Sequence, residues 1–297
     1  MTETELKETI ARIASPDEAA RAAAHAHWAK LAKPLGGLGR LETMIEDAAA
    51  LTGREDIVVS RRAVFVLCAD NGVVAQGVSQ TDQSVTRAVA ENLARRQNER
   101  LPDGGCRAVR RCAGGYRHGG EKVDGVLDRR IADGTADFTQ GPAMTRAQTI
   151  GAIEGGMRLV RDWKAKGYTL LATGEMGIGN TTTSSAVAAA LLGQPVERMT
   201  GRGAGLSDAG MARKIDAIRR GIGNARTRRI RWMCWQARRA DIAGLCGVFL
   251  GGAIHRVPIV MDGFISGVAA LCAVRLCPKA EAASSPAMRP PNRRRGG

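Results

Sequence analysis

The chain of 297 residues has no uninterrupted apolar run approaching 20 residues, no Cys-x-x-Cys pair and only four histidines. A membrane-spanning helix needs about 20 consecutive apolar residues, so none is predicted. Seven scattered cysteines are typical of reduced thiols rather than of disulfides or a zinc site, and the histidines are too dispersed for a metal cluster. The first ten residues are acidic and helical, unlike a signal peptide. These absences favour a cytoplasmic protein that has no membrane partner and binds no metal.

The net charge of +15 is confined to three blocks of the chain. Residues 95–118, 224–239 and 278–297 carry net charges of +5, +6 and +4, so the remaining residues are balanced. A protein that binds nucleic acid usually presents a continuous basic face instead. We therefore expect no nucleic-acid partner. Residues 278–297 are also low in sequence complexity, and we predict that they are disordered.

Apolar strand patterns alternate with helical patterns along the chain. Continuous apolar runs at 63–68, 169–172 and 257–261 are typical of buried parallel strands. Helices are predicted at 4–13, at 16–32 with Ser15 as N-cap, from a glycine-rich bend to about 51, from about 85, at 145–166, and then from 182, from 207, at 241–254 and at 267–277. This alternation predicts an α/β fold with a parallel, doubly wound, Rossmann-like sheet.

Residues 168–192 contain the most informative pattern: a short strand, a glycine-rich turn and a small-residue helix. Glycines let the backbone turn tightly and approach a ligand closely, and three consecutive threonines, 181–183, supply an N-cap. A strand that leads through such a turn into a helix N-terminus is a common phosphate site. The spacing resembles a P-loop, but Asn180 stands where a P-loop has lysine, which disfavours an NTPase. The alternative is a plain glycine-rich turn.

Four turns are candidates to line one pocket, and they lie at residues 70–72, 174–181, 201–205 and 262–266. Three of them follow predicted strands, at the edge where α/β sheets bind ligands. Lys214 and Arg202 are candidates to neutralise a phosphate, although Lys214 equally fits a solvated helix face. Asp262 fits either a ligand hydroxyl or a helix cap. Glu175 fits a cationic or proton-bearing part of the ligand, because a carboxylate repels phosphate. The residues alone thus predict an α/β protein that binds a phosphorylated small molecule.

Six segments carry a resemblance to a known family. They are KPLGGLGRLE (33–42), ADNGVVAQGVSQTDQSVT (69–86), GTADFTQGPAMT (134–145), GEMGIGNTTTSSA (174–186), GRGAGL (201–206) followed by Lys214, and RVPIVMDGFIS (256–266). In order and spacing they resemble the nicotinate-nucleotide–dimethylbenzimidazole phosphoribosyltransferases, over most of residues 1–277. The resemblance implies a homodimer with an α/β domain, here 51–277, and a small helical domain built from both chain ends, including residues 1–50.

The resemblance also implies a reaction that uses no cofactor. Phosphoribosyl passes from nicotinate mononucleotide to 5,6-dimethylbenzimidazole, which gives α-ribazole 5′-phosphate and nicotinate for the nucleotide loop of cobalamin. A benzimidazole nitrogen attacks ribose C1′ as nicotinate leaves, and a carboxylate takes the proton of the other ring nitrogen. Other benzimidazoles or phenolics remain possible acceptors.

The same resemblance assigns roles to residues. Glu175 is the catalytic candidate, facing the reacting ring or ribose. The phosphate would be held by Gly177, Gly179, Gly203 and Lys214. Further substrate-binding candidates are Asn180, Thr181, Arg202 and Asp262. The benzimidazole pocket would be lined by Val78, Ser79 and Gln83.

The sequence departs from the family in three places. The family's general base is a glutamate in a glycine-rich segment near the C-terminus, and the sequence contains no such segment; Glu281 has no matching context. Blocks 95–118 and 224–239 interrupt sequence that otherwise matches the family. Compensated frameshifts in the gene would produce such interruptions. We favour the hypothesis that these two blocks and residues 278–297 are translated out of frame. The alternative is that they are genuine, divergent basic loops. We therefore expect the chain to be impaired in catalysis and in stability. The alternative is that it is a family member that binds the ligands without catalysing their reaction.

Overall fold

A computed structural model describes residues 1–95, 112–113, 125–128, 131–223 and 240–286. Six strands in these ranges form one sheet: β1 (Arg62–Cys68), β2 (Cys112–Ala113), β3 (Leu127–Asp128), β4 (Leu170–Met176), β5 (Ile259–Met261) and β6 (Ser284–Pro286). Their order is β3-β2-β1-β4-β5-β6, and every neighbouring pair is parallel. The strand order reverses between β1 and β4, as in doubly wound sheets, so the predicted fold class is confirmed.

The described helices are α1 (Glu3–Ala11), α2 (Glu18–Ala29), α3 (Arg40–Thr52), α4 (Ser84–Arg95), α5 (Arg146–Ala165), α6 (Asn180–Leu192), α7 (Val196–Met199), α8 (Asp208–Gly223), α9 (Ala240–His255) and α10 (Gly263–Leu276). Two 3-10 helices lie at Gly72–Gln76 and Pro278–Ala283. In the described ranges, no helix combines the length and the apolar character that crossing a bilayer requires.

Alternate residues of β1 pack into different cores, which places helices on both faces of the sheet. Phe65 and Leu67 belong to the main core with α5 and α9, whereas Val66 and Cys68 pack with Ala90 of α4. This arrangement leaves the carboxyl ends of the central strands as the edge available to a ligand.

The α5 and α9 helices pack backbone to backbone through glycines. A Cβ added to Gly156 would lie 2.0 Å from the carbonyl oxygen of Gly244, and one added to Gly247 would lie 2.0 Å from that of Ile153. No side chain larger than hydrogen fits between the two helices at these positions. The close approach fixes the main core against β1.

Several predicted boundaries are wrong for local reasons. The α2 helix begins at Glu18, because the Asp17 carboxylate rather than Ser15 caps it, accepting from Ala20 N–H at 3.0 Å. The β4 strand runs four residues beyond the predicted end at 172, because it pairs with β1 along its whole length. The α10 helix starts at Gly263 rather than 267.

The prediction of disorder after Cys277 is wrong for the first nine residues. Pro278–Ala283 form a 3-10 helix, and β6 then pairs with β5, with Ser284 opposite Ile259. The buried Ala280 and Ala283 anchor the segment in the main core. Lys279 donates to the carbonyl oxygen of Ile13 at 3.1 Å, which joins the segment to the N-terminal helices. Residues 287–297 lie outside the described ranges.

The two internal basic blocks fall largely outside the described residues. In block 95–118 the structure describes only Arg95 and residues 112–113, and it describes none of 224–239. The out-of-frame interpretation therefore stays a prediction. So does the division of the chain at residues 50 and 277.

Candidate functional site

A cavity of about 210 Å³ opens at the carboxyl end of β4, beside the point where the strand order reverses. Three segments line it: residues 78–81, 176–181 and, except for Gly205, 202–206. The fold thus brings together two of the four predicted turns, 174–181 and 201–205, with the segment that follows the 70–72 turn. The fourth turn, 262–266, contributes no residue to the lining of this cavity.

The glycine-rich turn into α6 is held by Asn71, at the end of β1. The Asn71 amide donates to the carbonyl oxygen of Ile178 at 2.8 Å, and its oxygen accepts from the Thr183 hydroxyl at 3.4 Å. Gly179 is the N-cap, with φ of 83°, and a Cβ there would lie 3.0 Å from Val74. The prediction of a threonine cap is therefore wrong. The left-handed backbone requires glycine at the cap, and the threonines lie inside α6.

Lys214 is the best-placed cation in the site. Its side chain is buried, and Nζ donates to the Thr181 hydroxyl and to the carbonyl oxygen of Gly201, both at 2.8 Å. The alternative of a solvated helix face is therefore wrong. Burial lowers the pKa of Lys214 from 10.5 to about 8. Among the described residues, no carboxylate forms an ion pair with it, so an anion entering the site would meet an uncompensated positive charge.

Gly203 lets its loop close onto this cation. Its φ is 60°, and an added Cβ would lie 3.0 Å from the Thr181 hydroxyl and 3.5 Å from the Lys214 Nζ. Thr181 and Gly203 line one end of the cavity, as does Gly177. The buried Lys214 does not itself line the cavity; its ammonium group lies directly behind Thr181. This end of the cavity therefore has a positive charge behind its wall, which suits a phosphate.

Arg202 lines the cavity, but its guanidinium is already engaged. It donates to the carbonyl oxygen of Leu206 at 2.8 Å and pairs with Asp208. These contacts of Arg202 stabilise its own loop. Lys214 is therefore the stronger candidate for neutralising an anion.

Glu175 lies beside the cavity rather than in its wall. Its carboxylate oxygens accept from the Asn180 amide at 2.9 and 3.1 Å. The Asn180 oxygen in turn accepts from Thr181 N–H at 2.7 Å. Asn180 lines the cavity and so links Glu175 to the first turn of α6. No carboxylate is present among the described residues that line the cavity.

The remaining predicted residues are divided between the cavity wall and its surroundings. Val78 and Ser79 line the cavity. Gln83 lies behind the residues that line the cavity, and its amide donates to the carbonyl oxygen of Asn71 at 2.9 Å. Asp262 is exposed outside the cavity and occupies the N-cap position of α10, although its side chain makes no capping hydrogen bond there.

Sequence reasoning gave no individual role to six lining residues, although the motifs that contain them were recognised and three of them, Met176, Ile178 and Ala204, lie in turns predicted to line the pocket. They are Gln80, Thr81, Met176, Ile178, Ala204 and Leu206. Position inside the motifs 69–86, 174–186 and 201–206 was the only signal for them. In the described ranges, no group of three or more His, Cys, Asp or Glu side chains is arranged to hold a metal ion.

Comparison with known proteins gives consistent matches in sequence and in structure. A family model described as phosphoribosyltransferase matches residues 13–290. A nicotinate-nucleotide–dimethylbenzimidazole phosphoribosyltransferase of Roseiflexus castenholzii is 43% identical over 292 residues, which cover 93% of this chain and 79% of that protein. The enzyme of that name from Acetivibrio thermocellus is 42% identical over 264 residues, covering 84% and 72%.

The structural comparison covers a similar share of the chain. The crystal structure of CobT from Thermus thermophilus superposes with a TM-score of 0.79 at 34% identity, covering 90% of this chain and 81% of that one. The sequence and structural comparisons therefore agree over most of the chain.

Proposed function

Since the chain belongs to the nicotinate-nucleotide–dimethylbenzimidazole phosphoribosyltransferase family, we propose that it transfers phosphoribosyl from nicotinate mononucleotide to 5,6-dimethylbenzimidazole. The products are α-ribazole 5′-phosphate and nicotinate, for the lower ligand of cobalamin. The observation that carries the proposal is the buried ammonium group of Lys214, which has no carboxylate partner among the described residues and lies directly behind Thr181 in the cavity wall. The homodimer and the cytoplasmic location implied by the resemblance belong to the same proposal.

Lys214 is placed to hold the 5′-phosphate of the donor. A phosphate oxygen that replaces one of its two neutral partners would form a charge-assisted hydrogen bond in a site of low dielectric. Gly177, Gly179 and Gly203 let the backbone approach the same phosphate. Binding of the phosphate then fixes ribose C1′ relative to the rest of the cavity.

The other walls suit a flat aromatic acceptor. Val78, Met176, Ile178 and Leu206 supply apolar surface, and Ser79 and Thr81 supply hydroxyl groups. An aromatic ring between these walls would present one nitrogen to ribose C1′. Positive charge builds on the sugar as nicotinate leaves, and the attacking ring must lose a proton from its second nitrogen.

Glu175 is the candidate to take that proton. A carboxylate that acts as general base contributes about 10²–10⁴-fold to the rate. Asn180 holds Glu175 beside the cavity rather than in it, so the carboxylate needs a water or a small rearrangement to reach the acceptor. We therefore expect low turnover.

The test measures nicotinate release with both substrates, in the wild type and in Glu175→Gln. We expect the variant to lose about 10²–10⁴-fold in kcat while the KM for nicotinate mononucleotide stays unchanged. Glu55→Gln, at an exposed position distant from the cavity, is the matched control. A Glu175→Gln rate equal to that of the wild type would remove Glu175 from the mechanism.

The second candidate function is ligand binding without turnover. It is favoured by the lack of a carboxylate among the described residues of the cavity wall. Calorimetric binding of nicotinate mononucleotide and dimethylbenzimidazole, with no nicotinate released over hours, would select it. A rate equal to that of the Roseiflexus castenholzii relative would exclude it, together with the expectation of impaired catalysis.

A further inference from the structure

One hydrogen bond joins two of the three segments that line the cavity. The Gln80 amide, in the acceptor-side segment (residues 78–81), donates to the carbonyl oxygen of Gly205, in the phosphate-side segment (residues 202–206), at 2.7 Å. The two residues are 125 positions apart in the chain. Both residues are exposed to solvent, and Gln80 lines the cavity. The bond therefore links two segments of the cavity that the resemblance assigns to different substrates.

Both segments are also attached to α8. Arg213 Nε donates to the carbonyl oxygen of Gly77 at 3.1 Å, immediately before the acceptor-side segment. Its neighbour in sequence, Lys214, donates to the carbonyl oxygen of Gly201, immediately before the phosphate-side segment. The α8 helix, the two segments and the Gln80–Gly205 bond thus form a closed ring of contacts that includes two of the three cavity-lining segments.

We propose that Gln80 is a positioning residue that couples the binding of the phosphorylated ligand to the binding of the aromatic acceptor. The inference rests on the proposed function for the identity of the two ligands. A phosphate on Lys214 orders the phosphate-side segment, and the Gln80 bond transmits that order to the acceptor-side segment. The acceptor then binds to a wall that is already in place, and by thermodynamic linkage it strengthens phosphate binding by the same factor.

The size of the coupling follows from the exposure of the bond. A single solvent-exposed hydrogen bond shifts an equilibrium by about two- to tenfold. We therefore expect each ligand to raise the affinity of the other by about two- to tenfold in the wild type.

Isothermal titration calorimetry tests the coupling without catalysis. Dimethylbenzimidazole is titrated into the full chain with and without saturating ribose 5-phosphate, which carries the phosphate and sugar but no leaving group. Gln80→Glu keeps the size of the side chain but removes the donor, and Gln80→Ala removes both. Gln194→Glu is the matched control, because the solvent-exposed hydrogen bond that Gln194 accepts from Arg198 lies outside the cavity. Melting temperatures establish that each variant is folded.

The expected result is a two- to tenfold effect of ribose 5-phosphate in the wild type and in Gln194→Glu, and no effect in either Gln80 variant. A merely structural role for Gln80 would lower the melting temperature or both separate affinities and leave the coupling intact, which would overturn the inference. Independent binding of the two ligands in the wild type would also overturn it, with the proposed function untouched. If neither ligand binds, the proposed function and the inference both fail.

Discussion

The ammonium group of Lys214 donates a hydrogen bond to the hydroxyl of Thr181 at 2.8 Å, which joins α8 to the first turn of α6. The second partner of Lys214 is the carbonyl oxygen of Gly201, so both contacts are neutral. Burial of an ammonium group without a counter-charge costs free energy, and the lowered pKa expresses that cost. Binding of an anion close to this ammonium group would therefore stabilise the folded chain.

Replacement of Lys214 by methionine tests the anion site. Charged hydrogen bonds contribute about 1.5–3 kcal/mol, so Lys214→Met should raise the KM for nicotinate mononucleotide about ten- to a hundredfold. Inorganic phosphate should raise the melting temperature of the wild type but not that of the variant. Lys7→Met, which removes an exposed lysine of α1, is the control and should behave as the wild type. An unchanged KM in Lys214→Met would contradict the assignment.

The pH dependence of stability gives a second test of Lys214. Its pKa falls from 10.5 to about 8 on folding, so between these pH values the unfolded chain binds more protons than the folded chain. The contribution of this group to stability therefore rises with pH across that window, by up to about 3 kcal/mol. Below about pH 8 the lysine is charged in both states, and the contribution is constant.

Denaturant unfolding of the wild type and of Lys214→Met, at about pH 7 and about pH 10, isolates this group. The free energy of unfolding of the wild type should rise relative to that of the variant as the pH increases. The affinity for phosphate should fall over the same interval, because the neutral amine no longer attracts the anion. A constant difference between the two proteins would show that Lys214 titrates normally.

The sequence predicted the fold class because strands and glycine turns are local patterns. The apolar run at 63–68 and the glycines of 174–179 indicate a buried strand and a tight turn without any tertiary information. The burial of Lys214 could not be predicted in this way. It lies in α8 between Arg213 and Ile215, and its close neighbours, the loop containing Gly203 and Thr181 of α6, belong to other segments of the chain.

The segment 278–286 shows a second limit of sequence patterns. Its composition is that of a disordered tail, yet β5 offers unpaired backbone groups to which Ser284–Pro286 attach as β6. Pairing with an existing sheet needs no hydrophobic alternation in the added strand when its neighbours, here Ala280 and Ala283, already reach the core. Tertiary contact therefore overrides composition at this end of the sheet.

Determination of the gene sequence across codons 90–125, 220–242 and beyond 275 tests the out-of-frame hypothesis. We expect single-base corrections to replace the basic blocks by amino-acid sequence that resembles the family. We also expect them to restore a glutamate in a glycine-rich C-terminal segment. The transferase assignment would then apply without impairment. If the reading frame stands as printed, the blocks are genuine, and the low-turnover expectation is tested on this chain by the nicotinate-release assay.

The two adjacent glycines of α5 offer a matched test of the main core. A Cβ on Gly156 would lie 2.0 Å from the Gly244 carbonyl oxygen, whereas a Cβ on Gly155 would meet nothing within 4 Å. Gly156→Ala must push α9 away from α5, so we expect a loss of about 3 kcal/mol in the free energy of unfolding. Gly155→Ala should instead stabilise the chain by about 0.5–1 kcal/mol, because alanine loses less backbone entropy in a helix.

Urea unfolding of both variants measures the contrast directly. The same substitution, one position apart on one helix, should change stability with opposite signs, which no general effect of helix propensity can produce. Equal stabilities would show that α5 and α9 are not in backbone contact at Gly156. A loss confined to Gly156→Ala, with nicotinate release retained at temperatures where the variant is folded, would separate this packing from the chemistry in the cavity.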